Sequence, residues 1–136
     1  MNQAYIDRVV QLTNIERQKV GLPPLKFNSQ LASAAQEHTN NMAKGDFFSH
    51  TNPNGSTMGS RISATGYRFT YASENISVGR ATPEEAVKGW MKSPGHQKNL
   101  LDPRAREIGV GYYFLPNDGG KVTYKHYWTQ VFAAPK

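Results

Sequence analysis

Four histidines and a short list of acids carry most of the chemistry open to this sequence. The histidines are His38, His50, His96 and His126, and Asp and Glu together number 10 in 136 residues. Any site that needs polar ligands must be built from these few. An imidazole titrates near neutral pH and coordinates metals, so the setting of each ring decides what it can do.

His50 lies in FFSHT, past the end of a helical stretch and among turn formers. The two phenylalanines can anchor that loop while the imidazole points elsewhere, which suits a site. An exposed loop histidine is the competing reading. Glu74 lies in ASENISV. A carboxylate among small and apolar strand residues needs water or a partner, and a histidine partner would also fix that ring's tautomer. An outward-facing strand glutamate satisfies the same pattern. His96 lies in SPGHQKNLL, at the third helical position if Ser93 is the cap. The free N–H groups and dipole of a first turn disfavour a second positive charge there. A neutral ring is favoured, as metal binding and proton acceptance require. A polar first-turn residue on the surface is the alternative.

His38 falls on the apolar stripe of its helix and reads first as a satisfied core histidine. His126 stands in a strand between Tyr124 and Trp128, on the same face, and reads first as packing. No H-E-x-x-H, G-x-S-x-G, phosphate loop or dinucleotide fingerprint occurs. Gly109-Val110-Gly111 is strand sequence. The residues alone say only that two histidines and a glutamate could converge.

The elements that must position them follow from local signals. Ile6, Val9, Val10 and Thr13 place a helix over 3–20, stopped at Gly21. GLPPLKF is a connector. Asn28 or Ser29 caps a second helix to about Lys44, with Leu31, Ala34, Ala35, His38 and Met42 inward and Gly45 as its end. A short helix over 57–65 stops at Gly66, and a strand runs around Glu74–Val78. Thr82-Pro83, with Glu85 completing a capping box, opens a helix to Met91. Ser93-Pro94 repeats the device. EIGVGYYF, residues 107–114, alternates as a strand, PNDGG turns, and KVTYKHYWTQVF is the longest strand candidate. Helices first and an antiparallel pair late predict an α+β fold in one domain, residues 1–136.

Composition narrows the partners. There are no cysteines, which excludes disulfides and thiolate metal sites. No apolar run is long enough to form a transmembrane segment. MNQAYIDRVVQLTN has no apolar signal-peptide core, so either the chain is cytoplasmic or a leader peptide has been removed. The net charge of +6 invites an anionic partner such as a nucleic acid, cell-wall polymer or lipid headgroup. The Lys and Arg are scattered, however, with no basic tail and no arginine-aromatic motif, so no nucleic-acid partner is expected. A solvated basic surface on a monomer accounts for the charge.

Five segments in order resemble one family: NIERQKVGLPPLKFNSQLASAAQEHTNNMA, FFSHTNPNGSTMGSRISATGY, SENISVG, WMKSPGHQKNLLDPRAREIGVGYY and YWTQVF. Together they are similar to the bacterial, cysteine-free branch of the CAP superfamily. Its other members are the cysteine-rich secretory proteins, antigen 5 and the plant pathogenesis-related proteins. The resemblance implies a three-layer α-β-α sandwich with a central antiparallel sheet, and an extracellular or cell-envelope location. It also implies a cleft lined by two histidines and two acids that binds divalent cations such as zinc in some members. His50 and His96 match the histidines and become the expected metal ligands. Glu74 matches the first acid and is the candidate base or third ligand. The second acid's position reads as Ser93, so the set is reduced to His50, Glu74 and His96.

Three functions compete. A secreted binding module would hold a lipid, sterol, glycan or protein ligand, or an anionic cell-surface polymer. A metal-assisted, peptidase-like hydrolase would use zinc on His50 and His96 with Glu74 beside it. A cell-surface adhesion domain would keep the cleft only as a vestige. The missing second acid weighs against the hydrolase, and the binding module is preferred.

Overall fold

The computed structural model describes residues 2–120 and 124–136. Its elements in chain order are α1 (Asn2–Lys19), β1 (Lys26–Phe27), α2 (Ser29–Gly45), α3 (Met58–Ala64) and β2 (Phe69–Val78). Then follow α4 (Pro83–Met91), α5 (Pro94–Leu100), β3 (Glu107–Phe114) and β4 (His126–Pro135). The strands form one sheet in the order β1-β3-β4-β2.

Strand alternation makes this sheet the middle of three layers. From β4, Trp128 and Phe132 join a cluster with Ile6 and Val9 of α1, Val87 and Trp90 of α4 and Leu100 of α5. The intervening Val131 and Ala133 pack with Leu31, Ala34 and Ala35 of α2 and Ile62 of α3. Tyr127 and Ile76 meet Met42 and Ala43 further along α2. Trp90, Trp128 and Phe132 are all buried, as core aromatics should be.

The second helix lies unusually close to the sheet. A Cβ built on Gly109 would stand 2.1 Å from the backbone of Leu31, and one on Gly111 would stand 2.6 Å from Gln36 Cα. The two glycines of β3 therefore work through their missing side chains.

The central sheet is antiparallel through β3–β4 and β4–β2, as expected, and Lys26 and Phe27 of the proline-rich connector add a short parallel pairing with Glu107 and Ile108. The prolines stop short of the stretch where donors are needed, and the backbone amides beyond them are used. Lys26 N donates to Arg106 O at 3.0 Å and Asn28 N to Ile108 O at 2.9 Å. Asp46, not Gly45, takes the left-handed position that ends α2, at φ 59°. β2 begins five residues before Glu74, at Phe69. The start of the longest strand candidate, residues 121–123, lies outside the described residues; β4 begins at His126.

Candidate functional site

β2 is an edge strand, with β4 on one side only. Its consecutive residues Glu74 and Asn75 send side chains to opposite faces, and each anchors one histidine-bearing segment.

Glu74 turns toward α2 and α3. Arg61 of α3 donates Nη2 to both carboxylate oxygens, at 3.0 and 2.9 Å, and both side chains are almost fully buried. His50 Nδ1 lies 2.8 Å from Glu74 Oε1. The carboxylate accepts there, so His50 carries its proton on Nδ1. Burial alone would raise the carboxyl's pKa, but the His50 hydrogen bond and the Arg61 charge outweigh it and hold Glu74 ionised below the usual range. The loop that carries His50 is tied down from beneath. His38, fully buried in α2, stands with Nε2 2.7 Å from Ser49 O.

Asn75 turns toward α5. Its Nδ2 donates to His96 O at 3.1 Å and to Gln130 Oε1 at 3.1 Å. Asn99 Nδ2 donates to Asn75 Oδ1 at 2.9 Å and to Glu74 O on the open edge of β2 at 3.3 Å. Ser93 and Pro94 start α5 as a cap-proline pair should, but Ser93 makes no side-chain capping bond. Its Oγ lies 2.9 Å from His96 Nδ1 instead. Burial lowers the pKa of His96, and the nearby His50 charge lowers it further, so the ring is neutral at pH 7.

The structure thus joins His50 to Glu74 and Ser93 to His96, and places the two pairs on either side of one strand. His38 is a core histidine, as its stripe position implied. His126 packs against Phe114 and Tyr112, with Nδ1 2.7 Å from the Tyr112 hydroxyl, away from the other three. Sequence reasoning missed Arg61, Asn75 and Asn99. The only available signal for Arg61 was the unmet need of Glu74 for a partner.

As a metal site the arrangement offers two ring nitrogens. Each Nδ1 is engaged, leaving each Nε2 as the free one. A metal-bound imidazole usually carries such a hydrogen bond on its far nitrogen. Glu74, with both oxygens on Arg61, stands behind His50. Among the described residues no group of three or more His, Cys, Asp and Glu could hold a metal ion. Catalytic zinc takes three protein ligands. Two histidines without a third protein ligand do not make a closed or catalytic centre. Among the described residues, surface cavities of about 300 to 670 Å³ lie elsewhere, against α1, the start of β2 and the Tyr112–His126 face.

The three-layer α+β fold is that of SCP-domain proteins. The chain belongs to the cysteine-rich secretory protein family, CAP, whose model matches residues 10–132. Among curated relatives, Bacillus subtilis "Uncharacterized protein YkwD" is 40% identical over 129 residues, 95% of this chain and 47% of that protein. "Uncharacterized membrane protein YlbC" of the same organism is 33% identical over 76% of this chain and 30% of its own length. The chain therefore spans less than half the length of these relatives. Among solved structures, an extracellular protein containing a SCP domain from Bacillus anthracis superposes with TM-score 0.85 at 32% identity, over 97% of this chain and 41% of that one. An outer surface protein from Borrelia burgdorferi shares the fold, with TM-score 0.84 at 20% identity over 94% of this chain and 90% of that one. Among the described residues no helix is long and apolar enough to cross a membrane.

Proposed function

We propose that the chain is the binding domain of an extracellular or cell-envelope protein, and that His50 and His96 are the recognition point of a cleft along the open edge of β2. The ligand is a lipid, glycan or protein bearing an anionic or carbonyl oxygen. The saturation of Glu74 carries this reading. With both oxygens on Arg61 and one shared with His50, that carboxylate orients an imidazole and is poorly placed to take a proton from water. This speaks against the hydrolytic alternative.

His50 Nε2 and His96 Nε2 would hold a divalent cation such as zinc, with Glu74 and Ser93 behind the two rings. The cation would supply a Lewis-acidic contact to a ligand oxygen. The protein's own part is to keep both rings oriented and the His96 ring neutral. The extracellular location draws on the Bacillus anthracis protein, which is described as extracellular. The net charge of +6 suits an anionic envelope polymer as a partner of the domain as a whole.

Zinc titration of the chelator-treated chain tests the pairing. One site per chain is expected, weakened by about tenfold or more in His50→Ala and in His96→Ala. Equal uptake by all three proteins would reject the paired site. Chelator-sensitive peptide hydrolysis by the wild type, lost in both variants, would reject the binding reading in favour of the hydrolase.

A further inference from the structure

Thr13 and Arg17 stand one turn apart on the inner stripe of α1, and both are fully buried. Neither touches His50, Glu74 or the His96 ring, and the binding reading above gives them no part. Both reach α5.

The Thr13 route is a chain of side-chain amides. Asn75 Nδ2 donates to His96 O at 3.1 Å, and a backbone carbonyl can only accept. That fixes which way the Asn75 amide faces. Gln130 must then present Oε1 to Asn75 Nδ2, at 3.1 Å, and turn Nε2 the other way. Nε2 ends 2.7 Å from Thr13 Oγ1, so the hydroxyl must accept. Thr13, Asn75 and Gln130 are all fully buried, so water offers none of them an easy substitute partner. Arg17 takes the other end of the same helix. Its Nη1 donates to Leu100 O at 3.1 Å and to Asp102 O at 2.9 Å. α5 has seven residues, too few to be stable by itself. Its placement must come from outside.

We propose that Thr13 is a positioning residue for the His96 half of the site, acting through Gln130 and Asn75, so that binding at the edge of β2 depends on a hydroxyl in α1. The proposal deepens the binding reading and rests on it for its ligand. The His50 half is held separately, by Arg61 of α3, and serves as an internal control.

Thr13→Val removes the hydroxyl at nearly constant volume, and Thr13→Ser restores it. Two readouts are taken well below the melting temperature. The first is zinc affinity. The second is amide hydrogen exchange at Gln97 and Leu101, whose N–H groups bond Ser93 O and Gln97 O within α5, against Arg61 N, which bonds Thr57 O in α3. In the valine variant the α5 amides should exchange faster while Arg61 keeps its rate. Zinc affinity should fall by about tenfold, the low end for partners behind a metal ligand. Serine should reverse both effects. If the valine chain does not fold, Thr13→Ala takes its place.

Unchanged α5 exchange in the folded variant would overturn the proposal, whatever happens to the melting temperature. So would equal acceleration at Arg61, which is general loosening. Selective α5 acceleration in a protein whose wild type takes up no zinc would uphold the positioning role and reject the binding reading alone.

Discussion

Glu74 and Asn75 are adjacent in β2, yet one anchors His50 and the other anchors the backbone of His96, on opposite faces of the sheet. The pleat of a strand makes this possible, since successive side chains point apart. The strand lies at the sheet's edge, so elements from both outer layers can come round to meet there. A two-residue segment thereby sets the separation of two groups that lie 46 positions apart in sequence, at 50 and 96.

The Arg61–Glu74 pair should behave as one unit. Removing either partner leaves a buried charge without its counter-charge. Glu74→Leu and Arg61→Met should each cost about 3–5 kcal/mol. The double variant should cost clearly less than the sum, because the second substitution removes the orphaned charge. Urea unfolding of all four proteins closes the cycle. Additivity within about 0.5 kcal/mol would show that the two groups are energetically independent.

The glycines of β3 give a sharper contrast. Gly109→Ala places a methyl against the α2 backbone, which cannot turn aside as a side chain could. A loss of about 1–3 kcal/mol or more is expected, as for overpacking in a filled core. Gly95, in α5, has nothing within 4 Å of its added Cβ. Gly95→Ala should stabilise by up to about 1 kcal/mol through helix propensity. Melting temperatures that move in the same direction for both variants would contradict this account of the α2–β3 contact.

Local signals were the legible part of this sequence. Thr82-Pro83 and Ser93-Pro94 placed the starts of α4 and α5 where the structure has them, because a cap and a proline act on their own turn. The alternation of residues 107–114 gave β3 with its full bounds. The need of Glu74 for a partner pointed toward a histidine, and His50 is one. Arg61 was hidden, because an arginine in a short polar helix looks like a surface residue until its burial is seen. The parallel pairing of Lys26 and Phe27 was hidden too: two residues carry no periodicity, and their partner lies some 80 positions on, at Glu107 and Ile108. The resemblance joined His96 to the other two, a long-range relation that spacing alone does not show.

The two caps were expected to act alike, and they do not. Thr82 Oγ1 accepts from Glu85 N at 3.2 Å, while Glu85 Oε2 reaches Ala81 N at 3.3 Å, one residue before the capping-box partner. Thr82→Ala should cost about 1 kcal/mol. Ser93 spends its hydroxyl on His96, so Ser93→Ala should cost less in stability and act on the site. Its zinc affinity should fall while its urea midpoint stays near that of the wild type. The reverse pattern would return Ser93 to an ordinary cap.

His38 gives the fold a dependence on acid. Its Nε2 is tied to Ser49 O, and its other side is set against the Asn52 side-chain amide. The charged groups that act on the ring are Glu74 of β2 and Arg61 of α3. Burial lowers its pKa from 6.5, Glu74 raises it and Arg61 lowers it, with a net downward result. The unfolded chain therefore takes a proton near 6.5, and the folded chain only at lower pH. Protons favour the unfolded state in that window, so this contribution is fully present above 6.5 and is lost as the pH falls below it. The melting temperature should drop between about pH 7 and about pH 5. His38→Gln keeps an amide donor for Ser49 O without the titration, and its slope over that interval should be shallower. A slope equal to that of the wild type would move the effect to His96 and His126, whose rings burial also holds neutral.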